Sequence, residues 1–248
     1  MELSEYETMF RVEDRHWWYV GMRRITTALV ARLLQDRTDV DILDAGCGTG
    51  AVMQYLSPFG TVTGCDLFAD ALDFCHQRGL QRLSQASVTR LPFATGSFDL
   101  VTSFDVLCHR SIGDYRDALS EFHRVLKPGG YVFLRLPAYD WLQSHHDQVV
   151  HTVHRFSAAE LRQALVSTQF DVERLSYANM LLFPVALGKR LAERFFPVSG
   201  DASDIRPNSP WQDKLLVRFL YSEARWLKRH SLPFGLTVIA VGKKPCSM

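Results

Sequence analysis

The 248 residues contain no apolar run near the ~20 needed to span a bilayer, so no transmembrane helix is expected. The opening stretch, MELSEYETMFRVEDRHWW, carries early acidic residues and no apolar core, which argues against a secretory signal. Cysteine is scarce and unpaired in pattern: positions 47, 65, 75, 108 and 246 make an odd set with no C-x-x-C. That excludes a disulfide framework or a zinc ribbon and points to free thiols in a reducing cytoplasm. No lysine follows the glycine-rich stretch in Walker spacing, and no H-E-x-x-H occurs, so neither a P-loop nor that metalloenzyme motif is present. Net charge is also nearly absent, +1 from 28 Lys and Arg against 27 Asp and Glu, and nucleic acid is not an expected partner. Internal repeats are lacking. What remains is a chain 47% hydrophobic and 22% charged, a globular composition. At this length about 70–75% of the unfolded surface is buried without staples.

The balanced charge hides an asymmetry. Residues 181–248 hold 11 Lys and Arg against 5 Asp and Glu, while residues 1–180 hold 17 against 22. A basic C-terminal third fits an anionic substrate, a membrane surface or simply a solvated helix face. Residues 1–35 have a helical pattern. Apolar runs bounded by turn residues predict strands at 39–46, 61–66, 98–104, 131–136, 170–177 and 236–241. Helical patterns lie between them at 51–56, 69–78 and 115–126, the last stopped by Lys127-Pro-Gly-Gly, and from a Ser157 cap to Thr168 with Glu160 completing a capping box. Alternating strands and helices predict an α/β fold with a doubly wound, mostly parallel, Rossmann-like sheet and helices on both faces. The expected organisation is a helical lid over 1–35, a core over 36–179, a helical insertion or cap over 180–235 before the last strand, and that strand with its tail over 236–248.

The most informative stretch is VDILDAGCGTG, residues 40–50, where a strand runs directly into Gly46, Gly48 and Gly50. Glycine lets backbone turn and approach a ligand closely, and the following helix directs its first N–H groups into the same space. Ligands of parallel sheets bind beyond the carboxyl ends of the strands. The spacing is G-x-G-x-G, not the G-x-G-x-x-G of a dinucleotide fold. Asp66 ends the second strand, where a carboxylate can accept both hydroxyls of a ribose.

These residues resemble motif I of the class I S-adenosylmethionine (SAM) methyltransferases, in particular the type 11 group. The resemblance continues through VTGCD, RLPFATGSFDLVTSFDVLCH and RVLKPGGYVFLRLP, covering residues 40–137 densely, and the final FGLTVIAVGKK is similar to the closing strand of many relatives. It implies a seven-stranded sheet and SAM as cofactor, with S-adenosylhomocysteine as product. Carried over by position, it implies that Asp44, Gly46, Cys47, Gly48 and Gly50 surround the methionine and ribose. Asp66 would hold the ribose hydroxyls and Leu67 would pack on adenine. Ser87 stands where relatives usually carry Asp and would accept from the adenine amino group, with Val88 N–H donating to the ring. Phe104 and Asp105 would sit beside the methionine moiety. Met22 stands where an arginine is expected, and Arg23 and Arg24 follow.

Methyl transfer removes the positive charge on sulfur, so a water-excluding lid, an aligned acceptor and often a base are needed. Residues 15–19 (RHWWY) are the expected lid, alongside the alternative that they are ordinary core. The candidate catalytic bases are His109, His145 and His146. The spacing H-H-D-x3-H-x2-H over residues 145–154 also suits a metal, but a substrate-shaping loop is the reading adopted and no metal is assigned. The expected function is methylation of a small-molecule acceptor at oxygen, on a sugar or glycolipid or on a phenolic or polyketide metabolite. Residues 180–196 are a candidate for peripheral membrane or lipid contact. Two alternatives share the loop: a SAM-binding partner or regulatory protein that does not methylate, and an NAD-dependent oxidoreductase.

Overall fold

A computed structural model of the chain describes residues 3–35, 37–143, 147, 149–188 and 210–246. Its centre is one sheet of seven strands: β1 (Val40–Ala45), β2 (Gly60–Asp66), β3 (Leu83–Gln85), β4 (Phe98–Phe104), β5 (Leu126–Pro137), β6 (Asp171–Ala178) and β7 (Thr237–Lys243). Their order is β3-β2-β1-β4-β5-β7-β6. β1 to β5 pair in parallel, and β7 runs antiparallel between β5 and β6. β1 and β4 are buried almost throughout, which is why they appear in the sequence as apolar runs without alternation.

The helices are α1 (Leu3–Val12), α2 (Trp17–Leu33), α3 (Ala51–Leu56), α4 (Ala69–Gln77), α5 (Tyr115–Val125), α6 (Ala158–Ser167) and α7 (Pro210–Leu227). A further helical segment covers 183–188. α2 packs against α3 and α7, and α5 packs against α6. Leu220 of α7 seats against Gly21 of α2, where a Cβ would lie 2.0 Å from the leucine Cδ1. The buried core joins α2 (Met22, Ile25, Leu29, Val30) to the sheet and to Ala118, Leu119, Phe122 and Val125 of α5.

Four local expectations are corrected. The helical pattern over 1–35 is two helices, broken at residues 13–16, and His16 caps the second by accepting the Trp18 N–H at Nδ1, 3.4 Å away. β3 is not among the expected strands: it is three residues long, with three rungs on β2, and too short to show a period. Lys127-Pro-Gly-Gly lies inside β5, across an irregular register between Phe98 and Leu100. Only half of the capping box forms. Ser157 accepts the Glu160 N–H at 3.2 Å, but the Glu160 carboxylate instead meets Tyr115 Oη at 2.9 Å and His154 Nε2 at 2.7 Å.

Candidate active site

The carboxyl ends of β1, β2, β4 and β5 open into one cavity of about 670 Å³. This is within the ordinary range for a small-molecule site. At one end lies the glycine turn. Gly46, Gly48 and Gly50 have φ of 84°, 52° and 84°. A Cβ on Gly46 would lie 2.3 Å from Val106, and one on Gly50 would lie 2.5 Å from Leu80 and 3.0 Å from Cys75 Sγ. Two of the glycines are thus imposed by the protein's own packing as well as by their dihedrals. Gly46, Cys47, Gly48 and Thr49 line the cavity, whereas Gly50 does not. Cys47 turns its thiol away, 3.9 Å from Cys75 Sγ, so it offers the cavity backbone.

Two carboxyls flank this turn. Asp66 accepts the Gly48 N–H at 2.9 Å and the Phe68 N–H at 3.1 Å. Burial raises its pKa and those backbone bonds oppose the rise. Asp44 is 1% exposed. Its Oδ1 accepts from Thr102 Oγ1 at 2.9 Å, and its Oδ2 has no hydrogen-bond partner among the described residues. Burial pushes its pKa up to about 7. A buried oxygen left unpaired is costly and marks a place where a donor or cation belongs. The wall beyond Asp66 is made by Leu67, Phe68, Ser87 and Val88. The Ser87 hydroxyl already accepts the Thr89 N–H at 3.2 Å and shares a proton with the Thr89 hydroxyl at 2.8 Å.

α1 closes this end. Tyr6, Met9 and Glu13 face the cavity, and Tyr6 and Phe10 pack on Phe68 and Phe74. Arg78 ties the closure to the glycine turn. It donates to the Thr49 carbonyl at 2.9 Å and to Glu13 Oε1 at 2.7 Å, and its guanidinium lies 4.7 Å from the Phe10 ring. Thr49 Oγ1 also donates to Glu13.

The other end is aromatic. Trp17, Trp18, Tyr19 and Phe104 line it, with Arg135 and Asp105. Arg135 donates to Asp105 Oδ2 from Nη2 at 2.9 Å and from Nε at 3.2 Å. Its guanidinium lies 4.5 Å from the Phe104 ring and 5.6 Å from Trp18. Asp105 is held at φ 59°, an uncommon conformation for a residue other than glycine. Arg135 is absent from the sequence-derived candidates, yet it is the one cation within the apolar strand YVFLRLP. A charge in such a place is rarely buried unless it is paired. Of the acids around the cavity, Glu13 and Asp14 pair with Arg78, Asp105 with Arg135 and Asp147 with Arg155, so the excess acid is Asp44 and Asp66 beside the glycine turn, where it favours a cationic group.

The histidines separate. His109 lines the cavity, and its Nδ1 accepts the Ser111 N–H at 3.1 Å. Burial first, and nearby positive charge second, hold its pKa down to about 4. His145 and His146 lie outside the described residues. His154 sits between Asp140 and Glu160 at 3.2 and 2.7 Å, and Asp147 is held bidentately by Arg155. Among the described residues no group of three or more His, Cys, Asp and Glu is placed to hold a metal. Arg23 reaches the cavity rim, while Arg24 lies over the Tyr221 ring at 5.5 Å.

A family model described as a methyltransferase domain matches residues 43–134. Malonyl-[acyl-carrier protein] O-methyltransferase of Enterobacter lignolyticus is 37% identical over 172 residues, covering 68% of this chain and 59% of that one. Its counterpart from Pseudescherichia vulneris is 32% identical over 171 residues, covering 64% and 67%. Demethylmenaquinone methyltransferase of Staphylococcus aureus is 37% identical over 112 residues, covering 41% and 46%. The chain thus spans about half to two thirds of the length of the curated relatives it matches. Among solved structures, a methyltransferase in complex with the Haloferax volcanii Trm112 activator has a TM-score of 0.61 at 19% identity, covering 99% and 95%. Haemonchus contortus phosphoethanolamine N-methyltransferase 2, solved with S-adenosyl-L-methionine, has a TM-score of 0.57 at 20% identity, covering 88% and 52%.

Proposed function

This chain belongs to the class I SAM-dependent methyltransferases, and we propose that it transfers a methyl group from SAM to an acidic oxygen, a phenol or a carboxylate, on a small acceptor. The observation that carries this reading is the unpaired Oδ2 of Asp44, in a cavity that continues without a break to Phe104, Arg135 and His109. The site residues fit the cofactor. Asp44 offers a buried anion to its ammonium group, and Asp66 retains acceptor capacity for ribose hydroxyls beyond its two backbone bonds. Leu67 and Val88 flank the base, and Arg23 at the rim suits the carboxylate. Bound SAM supplies an electrophilic methyl on a sulfonium.

The protein's contribution is to orient the acceptor and keep water out. Trp17, Trp18 and Tyr19 shield the reacting end. His109 is a weak base, because its ring is held neutral and its Nδ1 is occupied by the Ser111 N–H. The neutral ring therefore carries its proton on Nε2, as a donor. A sugar hydroxyl needs a stronger base than this, whereas a carboxyl oxygen reaches the site ionised and a phenol, with a pKa of about 10, gives up its proton far more readily than a sugar. Of the acceptors expected from sequence, this favours the phenolic class over a sugar or glycolipid. The free buried thiols of Cys47, Cys65, Cys75 and Cys108 support a reducing compartment, the cytoplasm.

Transfer of labelled methyl groups from SAM to pools of phenols, carboxylic acids and sugars tests this. Label is expected in the first two pools, and His109→Ala should lower kcat while leaving S-adenosylhomocysteine affinity unchanged. Label confined to sugars would overturn the acceptor class. Tight cofactor binding with no label in any pool would favour the non-methylating reading.

A further inference from the structure

The inner face of α7 is accounted for. Leu220, Ala224 and Leu227 are buried, and the buried Glu223 accepts the Asn179 and Leu181 N–H groups at 2.7 and 2.9 Å. Arg174 and Arg32 donate to carbonyls at the helix's C-terminal end, at Leu227 and Lys228. The outer face has a different character. Trp211, Leu215, Phe219 and Trp226 are 65%, 43%, 39% and 55% exposed. Their spacing of four, four and seven places them in one stripe along the helix. Single exposed apolar residues are ordinary, but a continuous stripe is a contact surface. Lys214, Arg218, Arg225, Lys228 and Arg229 are also exposed on this helix and its end. Its two acids are withdrawn, Asp213 being half-buried and Glu223 buried.

We propose that the outer face of α7 docks this chain onto an anionic phospholipid surface, with the tryptophans and Phe219 entering the headgroup layer and the basic residues meeting lipid phosphates. Charge selects this occupant. The exposed residues of the helix are cationic, aromatic, aliphatic or neutral polar, the composition of a helix lying flat at an interface. At 18 residues the helix is about 27 Å long, and among the described residues no helix is long and apolar enough to cross a membrane. α7 follows the 180–196 segment that is the sequence's candidate for lipid contact, of which 189–196 lie outside the described residues. The inner side of the first turn of α7 comes near the cavity rim. His16, on the rim, feels the charge of Asp213 in the first turn of α7, and Ala186 of the neighbouring segment lines the cavity beside exposed Leu181 and Val185. Entry of a lipophilic acceptor from the bilayer rests on the methyl-transfer reading; the docking itself does not.

Flotation with vesicles of phosphatidylcholine alone, and of phosphatidylcholine mixed with phosphatidylglycerol, tests the docking directly. Wild type is expected to float with the mixed vesicles only, and to be released by salt. Arg218→Glu with Arg225→Glu should lower partitioning at least about tenfold, and Trp211→Ser with Trp226→Ser should also weaken it, with circular dichroism and S-adenosylhomocysteine binding unchanged. No flotation with mixed vesicles, or equal partitioning of wild type and the charge variant, would overturn it. So would lipid-free self-association abolished by the tryptophan variant without any vesicle binding, which would assign the face to a second copy. Methyl transfer is read separately on a water-soluble acceptor, so failure of either reading leaves the other standing.

Discussion

The two ends of the cavity are built by different means. The cofactor end is made of backbone, with a left-handed glycine turn, N–H groups aimed at Asp66, and a carboxyl buried behind them. The acceptor end is made of long side chains from distant segments, held by pairs such as Arg135–Asp105 and Arg155–Asp147. Backbone geometry is encoded locally, by glycines at fixed spacing. Side-chain walls are encoded by packing between elements far apart in sequence. A family can therefore keep the first end and remodel the second, which fits relatives named for acceptors as different as malonyl-acyl carrier protein and demethylmenaquinone.

At the glycine-turn end the strut is Arg78, which ties residues 10 to 13 to Thr49, and breaking it should have the largest effect. Arg78→Met leaves Glu13 buried without its cation, at a cost of about 3–5 kcal/mol, seen as a lowered Tm by calorimetry. Glu13→Gln added to Arg78→Met should recover part of that loss, and no recovery would show that the pair is not the strut. Next comes Asp66, proposed above to hold the ribose. Asp66→Ala removes two bonds from loop N–H groups as well as the cofactor contact, and S-adenosylhomocysteine affinity should fall roughly 30- to 1000-fold in titration calorimetry. An unchanged Kd would move the nucleoside elsewhere.

The glycines offer a graded comparison. Gly46→Ala meets both a positive φ and Val106 and should cost about 2–4 kcal/mol. Gly79 has a φ of 79° with nothing within 4 Å of an added Cβ, so Gly79→Ala should cost only about 1 kcal/mol. Equal losses of Tm would mean that packing does not fix the turn. The smallest effect concerns protons. The folded pKa of Asp44, about 7, lies above its usual 3.8, so the free protein is favoured with Asp44 protonated and loses stability as pH rises between those values. A bound ammonium group favours the ionised form. Affinity should therefore rise as pH climbs toward about 7 and level off above it, with proton release visible as buffer-dependent heat. Heat independent of the buffer below pH ~7 would separate Asp44 from the cofactor.

How much of this was legible follows the same division. β1, β2 and β4 and the glycine turn stood out as apolar runs closed by glycine or aspartate, and Asp44, Gly46, Cys47, Gly48, Asp66, Leu67, Ser87, Val88 and Phe104 all line the cavity. Gly50 shares the motif but serves packing, a distinction that spacing does not contain. β3 was too short to show a period. Arg135 is legible in sequence as a lone cation in an apolar strand, a signal that the histidine-based candidates do not use. Those histidines looked like a cluster along the chain, but His154 is taken up by Asp140 and Glu160, and His109 lies next to Ser111. The contacts of Tyr6, Met9 and Glu13 with the glycine turn are long-range, and no local pattern announces them.

Calorimetric titration of the purified chain with S-adenosylhomocysteine, and in parallel with NADH, bears most directly on the cofactor end. Saturable one-to-one binding of the homocysteine nucleoside, with none of NADH, is the expected result. Preferential binding of NADH, or no heat with either, would contradict the assignment of Asp44, the glycine turn and Asp66 to a SAM site.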